Sequence, residues 1–239
     1  TLMYMLKLII DQGNTQTKLA LFQQKKMLKK IIYNQDNELR DLESQADVVF
    51  LSSVGNTNDF LKILKENPIV LNENMLLPIN NFYESPETLG NDRIASVVSA
   101  SVKFPNSNVL VIDAGTCITL DLLTTHGYQG GSISPGVRMR LETLNKQTQR
   151  LPLVDLPDEV HLIGKNTAQC IQSGVLNGVL AEIDGMIDHY KSQYPDLKVL
   201  FTGGDYQMFD KGLKNSIFVD SDLVLNGLNE ILDYNEANT

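Results

Sequence analysis

Asp11 is the first residue whose type and place suggest chemistry. It closes the apolar run Leu8-Ile9-Ile10 and opens Asp11-Gln12-Gly13-Asn14-Thr15-Gln16-Thr17-Lys18. The apolar run reads as a buried strand. Gly13 and Asn14 tolerate positive φ and predict a tight turn. Lys18-Leu19-Ala20-Leu21-Phe22 then returns as a second strand. The product is a hairpin whose tip is acidic, polar and free of bulk. Backbone N–H groups and the Thr15 hydroxyl can approach a polyphosphate there, and Asp11 can meet a metal riding on it.

The pattern occurs twice. Leu110-Val111-Ile112-Asp113-Ala114-Gly115-Thr116-Cys117-Ile118-Thr119 sets Asp113 on Asp11, Gly115 on Gly13 and Thr119 on Thr17. One Asp-x-Gly turn is ordinary turn chemistry. Two aligned copies, one opening each half of the chain, predict a duplicated domain with two acidic tips across a cleft.

Two more stretches carry polar chemistry. Gly90-Asn91-Asp92-Arg93 puts a carboxylate and a guanidinium side by side at the start of an expected helix. Asp92 reads either as a helix cap or as a base. Arg93 gains nothing from the helix dipole there, and can hold an anionic group with two prongs. Thr202-Gly203-Gly204 is a turn at a strand's exit that lets a ring or a phosphate approach backbone. The common nucleotide signatures are missing. Gly164-Lys165-Asn166-Thr167 looks like a P-loop end, but the earlier glycine it requires falls on Glu159. No Gly-x-Gly-x-x-Gly is present.

The elements that must position these groups follow from periodicity. Strands are expected at Met27–Tyr33, Asp47–Val54 and Lys198–Thr202. Helices are expected at Thr57–Glu66, Asp92–Lys103, Val137–Thr148, Thr167–Tyr190 and Asp222–Asp233. Gln129–Gly136 reads as a glycine-rich loop. The helix from Thr167 carries a broad stripe of Ile171, Val175, Leu176, Val179, Ile183, Met186 and Ile187. Gly174 and Gly178 on it either admit a second helix or pack on the chain's own sheet. Hairpin, third strand, then alternating helices and strands is the order of an α/β fold. It implies mixed sheets of ribonuclease-H type with flanking helices, in lobes 1–106 and 107–239.

At 239 residues with 42% hydrophobic content, the chain can form two small cored lobes. A net charge of −9 argues against nucleic acid as the main partner. No apolar run is long enough to span a membrane, and Thr1–Lys7 lacks the basic region of a signal peptide. Cys117 and Cys170 form no Cys-x-x-Cys and fit the reducing cytoplasm. His126, His161 and His189 lack zinc-ligand spacing and read as surface residues.

Taken together, the motifs resemble those of the type III pantothenate kinases. Asp11-x-Gly13-Asn14-Thr15-x-x-Lys18 is similar to that family's opening motif, and Tyr83 followed by Gly90-Asn91-Asp92-Arg93 to its acceptor motif. Asp113-Ala114-Gly115-Thr116 resembles the second phosphate motif, and Gly130-Gly131-x-Ile133-x-Pro135-Gly136 the glycine-rich loop. Gly164-Lys165-Asn166-Thr167 and Thr202-Gly203-Gly204 complete the order. Cys117 and Asn91 stand where alanine is usual, and leave the charged groups intact.

The resemblance implies the acetate-kinase, sugar-kinase and actin-like superfamily fold. It implies ATP-dependent phosphorylation of pantothenate, with magnesium and a monovalent cation, potassium or ammonium. By position, Asp11, Gln12, Gly13, Asn14, Thr15, Gln16, Thr17 and Lys18 would bind ATP, with Thr116. Tyr83, Gly90, Asn91, Asp92, Arg93 and Thr167 would bind pantothenate. Asp92 would accept the proton, and Asp113 would bind the monovalent cation. A homodimer is expected. Three other readings share parts of the pattern: a kinase for another small hydroxylated acceptor, a non-catalytic accessory factor of transcription, and an actin-like structural ATPase.

Overall fold

Apolar strands flanked by small or proline-bearing turns build two five-stranded sheets. The computed structural model describes residues 5–53, 58–65, 67–157, 159–209 and 212–238. In chain order come β1 (Leu6–Gln12), β2 (Thr17–Gln23), β3 (Lys26–Ile32), α1 (Asp36–Gln45), β4 (Val48–Ser53), α2 (Asn58–Ile63), β5 (Ile69–Val70) and α3 (Asn91–Lys103). There follow β6 (Val109–Ala114), β7 (Cys117–Thr124), β8 (Gly127–Pro135), α4 (Val137–Gln147), α5 (Thr167–Gln193), β9 (Lys198–Thr202), α6 (Tyr206–Phe209), β10 (Phe218–Val219) and α7 (Leu223–Ala237). Among the described residues, no helix is long and apolar enough to cross a membrane.

The first sheet has the order β3-β2-β1-β4-β5 and the second β8-β7-β6-β9-β10. Adding five to each label of the first gives the second, so the duplication read from the two aspartates extends to the whole sheet. β1 runs antiparallel to β2 and parallel to β4, and β4 is parallel to β5. β6 is parallel to β9, and β9 to β10. A hairpin-linked trio followed by parallel strands is the mixed ribonuclease-H arrangement expected above.

The compact units are not the two contiguous halves. The first contains the residues up to Asn106, Leu123–Gly130 and the C-terminal stretch from Asp222; the second contains Ser107–Leu122 and Gly131–Ser221. The chain leaves the first unit near the expected boundary, but its closing helix returns. The reason is core packing. Ile9, Ala20 and Phe50 on one face of the first sheet bury against Ala95 and Val98 of α3 and against Val224, Leu228 and Ile231 of α7. On the other face, Leu8, Ile10, Leu19 and Leu51 bury against Leu39 and Leu42 of α1 and Phe60 of α2. In the second unit, every residue of the α5 stripe, Leu176 and Met186 included, packs on its own sheet. The stripe's breadth is therefore used within the unit.

Several expectations shift. α1 was not expected, because only Leu39 and Leu42 of its ten residues are buried and apolar. β5 and β10 have two residues each, too few for a period. Val54, Gly55, Thr57 and Glu66, which the strand and helix readings touched, lie outside the described residues. Gln129–Gly136 is not a loop but most of strand β8. Its glycines serve close packing: a Cβ on Gly131 would lie 1.7 Å from the Leu120 carbonyl oxygen.

Ion pairs fasten α7 to the first sheet. The buried Lys7 at the start of β1 pairs with Asp233, Lys25 with Glu230 and Asp233, and Lys30 with Asp222. Asn229, 1% exposed, donates from Nδ2 to the Gln24 carbonyl at 3.1 Å. α7 crosses α3 backbone to backbone, since a Cβ on Gly227 would lie 1.8 Å from the Ala95 carbonyl oxygen. Gly227→Ala must push the two helices apart. Overpacking of this kind is expected to destabilise the protein by about 3 kcal/mol. Thermal unfolding should show a midpoint lowered by about 6–12 °C, and a midpoint within 2 °C of the parent, on the same general scale, would mean the crossing is not tight.

Candidate active site

The first unit's site begins at the C-terminal end of β1. Asp11 lies inside the strand rather than beyond it, opposite Lys18 of β2 and Ser52 of β4. Side chains alternate along a strand. Asp11 therefore continues the face of Ile9, the face covered by α3 and α7. The turn closes with the Gly13 N–H donating to the Gln16 carbonyl at 3.1 Å. Neither Gly13 nor Asn14 takes a positive φ. Gly13 is small for another reason: a Cβ there would lie 3.0 Å from the Gln16 oxygen. Asn14, Thr15 and Gln16 are exposed at the tip, while Gln12, Thr17 and Lys18 are partly covered.

Asp11 is 9% exposed. Burial pushes its carboxyl up to about 6; Lys18 works in the opposite direction, and the negative charge of Asp92 adds to the rise. Asp11 and Asp92 belong to the same unit. The Ser52 hydroxyl is 1% exposed and, among the described residues, has no hydrogen-bond partner; the Ser96 hydroxyl and the Gln12 Oε1 are in the same condition. A buried polar group left unpaired costs about 1–3 kcal/mol.

Gly90, not Asp92, is the N-cap of α3, and it makes no side-chain cap. Asp92 is the second helical residue, and its Oδ1 accepts from the Arg93 N–H at 2.8 Å. The carboxylate sits where the helix dipole favours negative charge. Gly90 leaves room for it, since a Cβ at that position would lie 2.5 Å from Asp92 Oδ1. Asn91 Nδ2 donates to the Ser53 carbonyl at 3.4 Å, tying α3 to the exit of β4.

Arg93 is 7% exposed and its guanidinium lies 5.5 Å from the Tyr83 ring centroid. Tyr83 in turn stacks on Tyr128, with centroids 6.0 Å apart and planes inclined by 15°. The Tyr83 loop is docked on the β7–β8 turn. The Tyr128 N–H donates to the Asn80 carbonyl at 2.9 Å, and the Phe82 N–H to the Tyr128 carbonyl at 3.0 Å. Gly127 must be glycine, with φ +137° and the Asn80 oxygen 2.4 Å from a built Cβ. This docking places Leu123–Gly130 with the first unit. Tyr128 was missed in the sequence, although an aromatic just before two glycines was a usable signal.

The second unit repeats the β1 geometry. Asp113 of β6 lies opposite Thr202 of β9, as Asp11 lies opposite Ser52. The turn at Gly115–Thr116 is enclosed by backbone. A Cβ on Gly136 would lie 2.1 Å from the Gly115 oxygen, and one on Gly203, with φ +101°, would lie 2.1 Å from the Ala114 oxygen. The Gly136 N–H donates to the Thr116 carbonyl at 3.1 Å. Thr116 is exposed, and Asp113 is half-buried. The exit of β8 is braced by Arg140, which donates to both oxygens of Glu182 at 3.0 and 2.8 Å.

Thr167 is the first residue of α5 and is exposed. The stretch before it is a capping structure rather than a P-loop. Asn166 Oδ1 accepts from the Gln169 N–H, and Gln169 Oε1 accepts from the Lys165 N–H, both at 2.9 Å. The three histidines are exposed. Among the described residues, no group of three or more His, Cys, Asp or Glu side chains is placed to hold a metal ion.

Residues 7–189 match the family model described as type III pantothenate kinase. A type III pantothenate kinase from Bacteroides fragilis (strain YCH46) is 45% identical over 242 residues, covering 97% of this chain and 99% of the relative. One from Christiangramia forsetii is 42% identical and covers 97% of this chain and all of the relative. Among solved structures, a Baf family transcriptional activator from Campylobacter jejuni superposes with a TM-score of 0.64 at 22% identity, covering 96% of this chain and 99% of that one. Component A of the (R)-2-hydroxyglutaryl-CoA dehydratase of Acidaminococcus fermentans gives 0.54 at 14% identity, covering 98% and 100%. At these identities the structures speak to the fold alone. The family model spans most of the chain and the relatives nearly all of it, with the acidic turns and the Asp92–Arg93 helix start in place, and so the chain belongs to the type III pantothenate kinases.

Proposed function

We propose that this chain transfers the γ-phosphoryl group of ATP to the hydroxyl of pantothenate, the first step of coenzyme A biosynthesis, with Asp92 as proton acceptor. The observation that carries the reading is the placement of Asp11 at the end of β1, on the sheet face that α3 covers, with Asp92 on the first turn of that helix. It joins a base on the acceptor side to a carboxylate on the phosphate side within one unit. The family and its relatives support kinase chemistry with ATP.

Phosphoryl transfer depends on position and charge neutralisation more than on covalent chemistry. The turn from Asp11 to Lys18 offers N–H groups and hydroxyls to phosphate oxygens, and Lys18 offsets their charge. Thr116 supplies a further exposed hydroxyl. Magnesium, when bound, would supply charge neutralisation on the phosphates, with Asp11 as its protein ligand. The fit rests on the donors: Asp11 is a buried carboxyl raised by desolvation, which a cation would bring back down. A lone carboxylate also suits magnesium, which usually keeps waters and substrate oxygens as its other ligands. For the monovalent cation, the Asp113 carboxylate and the Thr202 hydroxyl across the rung are oxygen donors suited to a hard ion.

Asp92 aligns the acceptor hydroxyl and takes its proton late, as the developing ester makes it acidic. A carboxylate of ordinary basicity suffices for that. Arg93, whose guanidinium lies over the Tyr83 ring at 5.5 Å from its centroid, would offer its donors to the carboxylate or amide end of pantothenate. The free cysteines fit a cytoplasmic enzyme.

A homodimer completes the reading. Gly174, Gly178 and Gly185 share one face of α5, and a Cβ at any of them would meet nothing within 4 Å. Among the described residues this gives no support to the alternative considered from the sequence, packing on the chain's own sheet. The open face supports the approach of a second α5, and in this reading the acceptor site takes its threonine from the partner subunit.

Asp92→Asn should nearly abolish turnover while ATP affinity and the unfolding midpoint stay close to the parent. Loss of a general base typically lowers the rate by about 10²-fold or more, so turnover within about tenfold of the parent would leave Asp92 a helix-terminal carboxylate only. Turnover should also need potassium or ammonium besides magnesium. Equal rates in sodium, lithium, potassium and ammonium buffers would remove Asp113 from that role.

The dimer is tested by mixing two inactive proteins, Asp92→Asn and Thr167→Trp. If the two residues of a site come from different chains, subunit exchange should restore about a quarter of parental activity, because about half the dimers are mixed and each has one intact site. No recovery after verified exchange places both residues on one chain. A monomer at micromolar concentration rejects the dimer itself.

A further inference from the structure

Ser52 is a buried group of the first unit to which the reading above assigns no task. Its hydroxyl is 1% exposed and has no hydrogen-bond partner among the described residues. It stands opposite Asp11 in the parallel β1–β4 ladder. Paired residues of neighbouring strands project to the same face, with the strands about 4.8 Å apart. Ile9 and Phe50, one step earlier on that face, are both in the core beneath α3 and α7. Lys18, Asp11 and Ser52 thus form one row at the strand ends, with the carboxylate in the middle.

The second unit repeats this row. Thr202, 2% exposed, stands opposite Asp113. The two sheets differ in most residues along these strands, yet each pairs its terminal aspartate with a buried hydroxyl. A hydroxyl rotor can turn to a carboxylate oxygen without any backbone shift. A hydrogen bond to an ionised acceptor is about twice as strong as a neutral one. The Ser52 hydroxyl, with no partner among the described residues, is a donor available to that carboxylate.

We propose that Ser52 is a positioning residue for Asp11: with magnesium–ATP bound, its hydroxyl donates to one oxygen of the Asp11 carboxylate and turns the other toward the metal. The proposal rests on Asp11 being the carboxylate that meets the metal–triphosphate. Ser52 touches neither metal nor ATP, and acts only through Asp11.

The test uses the full chain and magnesium–ATP without pantothenate, with affinity read by calorimetry. Ser52→Ala should weaken magnesium–ATP binding about tenfold, the usual weight of a charge-assisted hydrogen bond. The magnesium concentration for half-maximal turnover should rise in step, while kcat at saturating magnesium stays within about twofold on the view that only binding geometry has changed. The unfolding midpoint of the ligand-free protein should be unchanged or higher, since the variant removes an unpaired buried hydroxyl. Ser52→Thr, the residue at the equivalent place in the second sheet, should restore affinity. Ser96→Ala removes a hydroxyl equally buried and unpartnered, but carried on α3 and not on the β1–β4 rung; it should leave magnesium–ATP affinity unchanged. Unchanged affinity in Ser52→Ala, with affinity lost in Asp11→Asn, overturns the role of Ser52 alone. Unchanged affinity in both overturns the reading of Asp11 on which it stands. A lowered midpoint in ligand-free Ser52→Ala makes the serine structural and overturns the proposal.

Discussion

A carboxylate at the end of a fully buried strand is the constraint from which the rest of the first unit follows. β1 is apolar on both faces because helices cover both. Its last turn of the pleat must carry Asp11 into that covered layer, where ionisation is disfavoured by lost hydration. The neighbours reduce the penalty only in part: Lys18 offsets the charge, and Asp92 raises the carboxyl further. The protein alone therefore leaves Asp11 short of positive charge. On the proposed reading, a metal carried on a triphosphate would supply what is missing, with the phosphates meeting the exposed tip of Asn14, Thr15 and Gln16.

Close backbone approach is the second requirement, and glycine meets it at particular places. Gly136 and Gly203 let two strand exits close on the turn that bears Thr116. Gly227 lets α7 lie against α3, so the helix bearing Asp92 and Arg93 is clamped from behind along its buried middle. Gly127 lets the β7–β8 turn carry Tyr128 under Tyr83, and Tyr83 under Arg93. The site's polar groups thus sit on rigid elements whose spacing is set by missing side chains. Arg93 shows the effect: a long flexible side chain is buried with its guanidinium over an aromatic ring.

The sequence by itself determined the duplication, both acidic turns, the third, fourth and ninth strands, the positions of α3, α4 and α5, and the motif order of the family. These are legible because each is local: an apolar triplet ending in Asp, a period of 3.6, or a glycine pair needs only its own neighbours. Tertiary structure alone decided the rest. α7 follows 222 residues of chain, yet it packs on the sheet opened by β1, because its apolar face complements that sheet and Lys7, Lys25 and Lys30 pair with its acidic residues and with Asp222 before it. Nothing in the periodicity of a helix names its partner. β8 reads as a loop because its glycines lack β propensity, and only the contact with Leu120 reveals why they are there. Ser52 and Thr202 gain meaning only from the register that sets each opposite an aspartate, since the pairing of strands distant in sequence is a property of the folded sheet.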